Sequence, residues 1–124
     1  MSEEQIKSFI KSYKTLKAKK EILDKIAETE SAKDDIDIED YNKTKIKIQI
    51  IESALEILDK SEKEIVLLHL IENNKWNEII SIYEAQKGME GSYSDRTFKR
   101  IQQSALQKIE DFIVRNQFEK YIDM

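Results

Sequence analysis

Apolar residues recur along this chain at the three- and four-residue spacings of helix faces. Ile6, Phe9, Tyr13, Leu16, Leu23 and Ile26 fall three, four and seven apart, with lysines between them. That spacing predicts one amphipathic helix over 3–28, about 39 Å long at about 1.5 Å per residue. Residues 31–40 are acidic and aperiodic, as expected of a loop or a frayed helix start. A second helix is predicted over 39–59, burying Tyr41, Ile48, Ile51, Leu55 and Leu58. Ile46, Ile50 and Ile57 widen its apolar face and call for contacts on more than one side. The two long helices can pair as an antiparallel hairpin or meet their copies in a coiled-coil-like seam; the pattern leaves both open.

Beyond residue 60 the predicted elements shorten. Ser61 and Glu64 have the spacing of a capping box, opening a helix to about Ile71 that buries Ile65, Leu68 and either Val66 or Leu67. Asn73-Asn74 ends it, and one of the two can cap the next helix, which starts near Lys75 and turns Trp76, Ile79, Ile80 and Tyr83 inward. Gly88 and Gly91, the only glycines, mark a loop. Ser94 then caps a last helix reaching about Phe118, with Phe98, Ile101, Ala105, Ile109 and Phe112 on its inner side, and the residues after it are expected to fray. The sum is an all-α protein: an N-terminal long-helix hairpin or arm over 1–60, for dimerisation or partner docking, and a helix-turn-helix region over 61–124.

Charge sharpens this picture. The 124 residues carry a net charge of −4, which gives no general attraction to phosphate. Locally the balance changes sign. Residues 1–25 hold seven lysines against four acids, 28–40 hold seven acids against Lys33, and 93–108 hold four basic residues against Asp95. At about 100° per residue, Arg96, Arg100, Gln103 and Gln107 lie opposite the Phe98–Ile109 stripe, with Lys99 at the edge. Arg and Gln are the side chains that make paired hydrogen bonds to guanine and adenine edges in the major groove. A helix-turn-helix presents the N-terminal part of its last helix to the bases, and a helix start such as Ser94 offers N–H groups to a phosphate. A solvated helix face has the same composition, so by pattern alone these residues are candidates and no more.

Two segments carry a family resemblance. The run from Ile71 through Lys75-Trp76-Asn77-Glu78-Ile79-Ile80, and then Tyr93-Ser94-Asp95-Arg96-Thr97-Phe98-Lys99-Arg100 to Ile109, resemble the C-terminal part of RinA/ArpU-type phage and prophage transcriptional regulators, which are similar to region 4 of sigma-70 factors. The resemblance spans about 61–113. It implies a sigma-region-4-like helix-turn-helix and sequence-specific DNA binding in phage late-gene control. Ser94 takes the place of the serine that caps the recognition helix. Arg96 and Thr97 match the early DNA-facing positions, Lys99 and Arg100 the basic pair, and Gln103 lies one turn further on. Trp76 matches an aromatic whose ordinary role is packing. The run 84–92 departs from the family in being longer than a compact turn. A homodimer with the N-terminal helices as its seam fits a symmetric operator, and RNA polymerase is a second candidate partner. A helical protein-interaction module without DNA readout is the alternative. In either case the acidic stretch 28–40 can fold over the basic helix and mask it.

Catalytic patterns are sparse. The absence of cysteine removes disulfides, thiolate metal sites and a cysteine nucleophile. His69 is the lone histidine, in an apolar helix where packing is its ordinary role. The acids of 34–40 lack the glycine and terminal glutamate of a calcium loop. Nucleotide-binding and nucleophile-elbow motifs are missing. The expectation is a non-enzymatic protein without metal or cofactor. With no spanning run and no leader-like start, it is expected to be cytoplasmic.

Overall fold

A computed structural model describes residues 1–29, 36–87 and 94–123. Their regular structure is entirely helical: α1 (Glu3–Lys11), α2 (Tyr13–Glu28), α3 (Ile38–Glu56), α4 (Lys60–Val66) running into a π-helical turn (Leu67–Ile71), α5 (Trp76–Lys87), α6 (Asp95–Arg115) and α7 (Glu119–Ile122).

The long helix expected over 3–28 is bent into two. Ser12 Oγ donates to the Phe9 carbonyl at 2.5 Å, the back-bonding by which a mid-helix serine bends its helix. The bend has a packing reason. α1 buries Ile6, Phe9 and Ile10 and packs on α6 and the π turn, while α2 packs on α3. α1 begins with a capping box in which Ser2 Oγ accepts from Gln5 N–H and Gln5 Oε1 accepts from Ser2 N–H.

α2 and α3 form an antiparallel hairpin within the chain. Tyr13 meets Glu52 near one end, Lys19 bridges to Asp40 at 2.8 Å, and the Tyr41 hydroxyl donates to Asp24 near the other. That hydrogen bond, with Lys20 beside it, holds the Asp24 carboxyl below its ordinary pKa. Asp37 caps α3, so 36–40 start a helix, and Asp40 pairs with Lys19 of α2. Ile48, Ile51, Leu55 and Leu58 are buried as expected, and so is Ile50, whereas Tyr41 and Ile46 are half-buried and Ile57 is exposed.

The cap of α4 lies two residues ahead of the expected one. Asp59 and Glu62 form the capping box, and Ser61 stays exposed. The two boxes overlap in sequence. Glu62 decides between them because its carboxylate also binds Lys108 at 2.7 Å and Ser104 at 2.9 Å on α6. Beyond Val66 the backbone widens: Glu72 N–H donates to the Leu67 carbonyl, and Leu70 and Ile71 enter the main core. Asn73 ends the turn at a φ of 59°, a left-handed conformation that asparagine tolerates. Asn74 does not cap α5. Its side chain turns back to the Leu68 carbonyl, and Lys75 N–H is met by Glu78.

α5 extends to Lys87, so 84–87 are helical where a loop was expected; both glycines lie outside the described residues. At the other end α6 stops at Arg115, three residues early, because Gln117 takes a left-handed φ of 59° while Phe118 N–H donates to the Ile113 carbonyl and Gln117 N–H to Val114, a Schellman ending. The chain then forms α7 instead of fraying. Phe118, Tyr121 and Ile122 pack against the main core, and α7 lies on α3.

Two cores result. The main one gathers Ile6, Phe9 and Ile10 of α1, Ile51 and Leu55 of α3, Val66 and the π-turn residues, and Leu106, Ile109 and Ile113 of α6. Residues on both sides of position 60 therefore share it. The smaller one consists of Ile65, Ile79, Tyr83 and Phe98, with Leu68, Trp76, Ile80 and Ile101 partly buried around it.

Candidate nucleic-acid interface

The small core fixes the first turns of α6. Phe98 is fully buried and meets the Tyr83 ring at a centroid separation of 5.0 Å, while the Tyr83 hydroxyl donates to Glu64 at 2.7 Å. α4, α5 and the start of α6 are thereby clasped around four large side chains. Ser94 caps the helix, its Oγ accepting from Thr97 N–H at 3.3 Å, and Asp95 in the first turn complements the helix dipole.

With Phe98 turned inward, Arg96 and Arg100 stand exposed one turn apart, and neither has an ion-pair partner among the described residues. Lys99 is exposed beside them and pairs with Asp95 at 3.5 Å, an i,i+4 contact worth about 0.3–0.5 kcal/mol and easily exchanged for a phosphate. Gln103 is exposed a turn further on. Thr97 is half-buried, its hydroxyl 3.3 Å from Ser94 Oγ. Ser94, Arg96, Lys99, Arg100 and Gln103 thus share one end of α6.

Gln107, counted toward this face, and Lys108, counted in the basic charge of 93–108, have other engagements. Gln107 donates to Asp111 at 3.2 Å and shares a shallow hollow with Glu3, Gln103 and Glu110, so acids surround it. Lys108 is bound to the buried Glu62. Burial opposes ionisation of Glu62, but Lys108, the Asp59 backbone N–H and Ser104 outweigh it and hold its pKa below the ordinary carboxylate value; Lys108 is raised in turn. The basic character of 93–108 therefore concentrates in 96–100.

Sequence pattern alone misses one polar pair. Gln102 is buried, and its Oε1 lies 2.5 Å from His69 Nδ1; the His69 ring stacks on Trp76 with centroids 3.8 Å apart. Burial lowers the His69 pKa, the Gln102 hydrogen bond opposes this, and the charges of Lys11, Lys7 and Lys99 add to the lowering. A signal for the pair does exist: position 102 falls on the stripe of Phe98, Ala105 and Ile109, where an amide needs a buried partner, and His69 is a polar side chain on the facing element. Half-burial of His69 agrees with the packing role expected for it.

Among the described residues no group of three or more His, Asp or Glu comes together to hold a metal ion, and no helix is long and apolar enough to cross a membrane. A scan against protein-family models, a search of curated proteins and a search of solved structures each found no match to this chain.

Proposed function

We propose that this protein is a sequence-specific DNA-binding regulator of transcription, with α4, α5 and α6 acting as a helix-turn-helix and α6 entering the major groove. One observation carries the reading. Arg96 and Arg100 project together, without acidic partners among the described residues, from the capped start of a 21-residue helix whose other side is anchored by Phe98. In a chain of net charge −4, exposed arginines left uncompensated at a helix start suit a polyanion. Arg100 and Gln103 supply base-edge hydrogen bonds, Arg96 and Lys99 supply backbone contacts, and Ser94 with Thr97 holds the helix start. Gln107 is left out of the contact set because Asp111, Glu110 and Glu3 surround it. The resemblance to RinA/ArpU-type regulators supplies the setting, a phage or prophage promoter.

A symmetric operator calls for a second copy of the chain. α2 packs on α3 within one chain, yet none of the α2 residues is buried, and Leu16, Leu23 and Ile26 stay half-buried. Ile22 and Ile38, 60% and 70% exposed, and Ile57 at the end of α3 are large apolar side chains that this hairpin leaves outside.

The test is fluorescence anisotropy with random-sequence duplex DNA across a salt series. Wild type binds with an affinity that falls steeply with salt. Arg96→Ala/Arg100→Ala loses ten-fold or more and flattens the salt dependence, because on random-sequence DNA the attraction is almost wholly between cationic side chains and phosphates. Absence of wild-type binding at low salt overturns the reading.

A second reading, a protein-interaction module, is favoured by a groove of about 350 Å³ where α3, α6 and α7 meet, lined by Ile46, Ile50, Phe112, Phe118 and Tyr121. RNA polymerase is the partner to try first. Ile48→Asp or Leu55→Asp would not test it, because both side chains are buried inside the chain. Ile46→Glu, at the groove, does: retention of polymerase by wild type and its loss in this variant support the reading, and no retention by either overturns it.

A further inference from the structure

We infer that α1 belongs to the same nucleic-acid surface as α6, with Lys7 and Lys11 meeting the phosphate backbone that borders the groove α6 enters. The inference rests on the reading of α6 given above.

Geometry carries it. Ile6, Phe9 and Ile10 hold α1 in the main core together with Leu106 and Ile109 of α6, and α1 packs against both α6 and the π turn. The direction of α1 follows from its two ends. Glu3 and Ile6 share a hollow with Gln103, Gln107 and Glu110. The charges of Lys7 and Lys11 act on His69, as does that of Lys99, and His69 is bonded to Gln102. Lys14, just beyond the Ser12 bend, bridges to Glu72 behind the π turn at 2.7 Å. α1 therefore runs opposite to α6, its acidic start beside Gln107 and its basic end toward His69 and the π turn.

Residues 3, 7 and 11 form one row along α1, since side chains four apart lie on the same face. Glu3, at the start of that row, shares its hollow with Gln103 and Gln107 of the exposed row of α6. Lys11 is exposed and has no ion-pair partner among the described residues; Lys7 is held by Glu3 and Glu4 at 3.4 and 3.7 Å, weak contacts in water. Packed helices lie about 8–10 Å apart, and the major groove is about 12 Å wide. A helix beside the one in the groove consequently sits over the rim, where the phosphates run. The row also has a polarity. Glu3, Glu4 and Glu110 repel phosphate at one end, while Lys7 and Lys11 attract it at the other, so α6 is offered to DNA by its N-terminal half.

The same anisotropy measurement, on the full chain, tests this with Lys7→Gln/Lys11→Gln. A charge-matched control is Lys25→Gln/Lys120→Gln, on the far end of α2 and on α7. The α1 variant loses about ten-fold in affinity at moderate salt, and its slope of log affinity against log salt shrinks by about 1.8, or about 0.9 for each phosphate that a lysine no longer neutralises; the control keeps the wild-type slope. Binding lost in Arg96→Ala/Arg100→Ala but unchanged in Lys7→Gln/Lys11→Gln overturns this inference alone. An equal loss in the control also overturns it, since net charge then explains the effect. No wild-type binding removes the α6 reading and this one together. Circular dichroism of each variant verifies that the helices are retained.

Discussion

The main core draws on α1, α3, the α4–π segment, α6 and the residues around α7, whereas the clasp beneath Arg96–Gln103 rests on Ile65, Ile79, Tyr83 and Phe98. The polar bonds divide in the same way. Glu62 ties α4 to the middle of α6 through Lys108 and Ser104; near the start of α6 the ties are Tyr83 to Glu64 and the Ser94 cap. His69–Gln102 lies between the two regions. One helix therefore passes from a deeply anchored half into a half held by few side chains. Regions with little buried apolar packing open at a lower free energy than the whole molecule. In α6 the half expected to open first is therefore the half that carries the exposed arginines.

The largest effects that separate the two regions come from truncation. Phe98→Ala should cost about 3–5 kcal/mol and Ile109→Ala about 2–5 kcal/mol, read from denaturant unfolding. Hydrogen exchange should then part them: Phe98→Ala strips protection from α5 and the first turns of α6, while Ile109→Ala lowers it throughout. Uniform loss in both variants would make the two cores one cooperative unit.

Glu62→Ala removes the tie on the main side and should cost about 1.5–3 kcal/mol, the usual worth of hydrogen bonds to a charged group. The pH dependence has a definite sign. The folded-state pKa of Glu62 is depressed, so its stabilisation is complete above about pH 4.3, the unfolded glutamate value, and fades as pH falls through the lower folded value. Acid titration of the variant should lack that portion of the loss.

A smaller effect is expected at the cap. Ser94→Ala should cost about 1 kcal/mol, confined to the start of α6 and seen as faster exchange at Thr97 and Phe98. An even spread along α6 would contradict the local anchoring drawn above.

The smallest effect lies at the junction. The folded-state His69 pKa is lowered, so the contribution of the neutral ring is complete above about pH 6.5 and declines as pH drops from there toward the folded value. Trp76 is the only tryptophan and stacks on His69, so its emission should change as the ring titrates. His69→Gln should abolish that step; persistence of the step in the variant would assign it elsewhere.

Much of the architecture follows from local rules. Helical periodicity with few glycines and no proline specifies an all-α chain. The Phe98–Ala105–Ile109 stripe places Arg96, Arg100 and Gln103 on the outside, and Ser94 marks the start of their helix; each of these depends only on neighbours within a turn or two. The rest required distant partners. Ser12 bends one helix because its two halves pack on different elements. Asp59 prevails over Ser61 as a cap because Glu62 is held by a helix more than 40 residues away. Lys108 counts as a basic residue in sequence and as the partner of a buried carboxylate in the fold. Gln102 is a surface amide by composition and a buried one by position, matched to His69 across 33 residues. Periodicity reports which side of a helix is covered. What covers it, and which charges remain free once the chain has closed on itself, depends on the tertiary structure, because pairing and burial are set by groups brought together only when the chain folds.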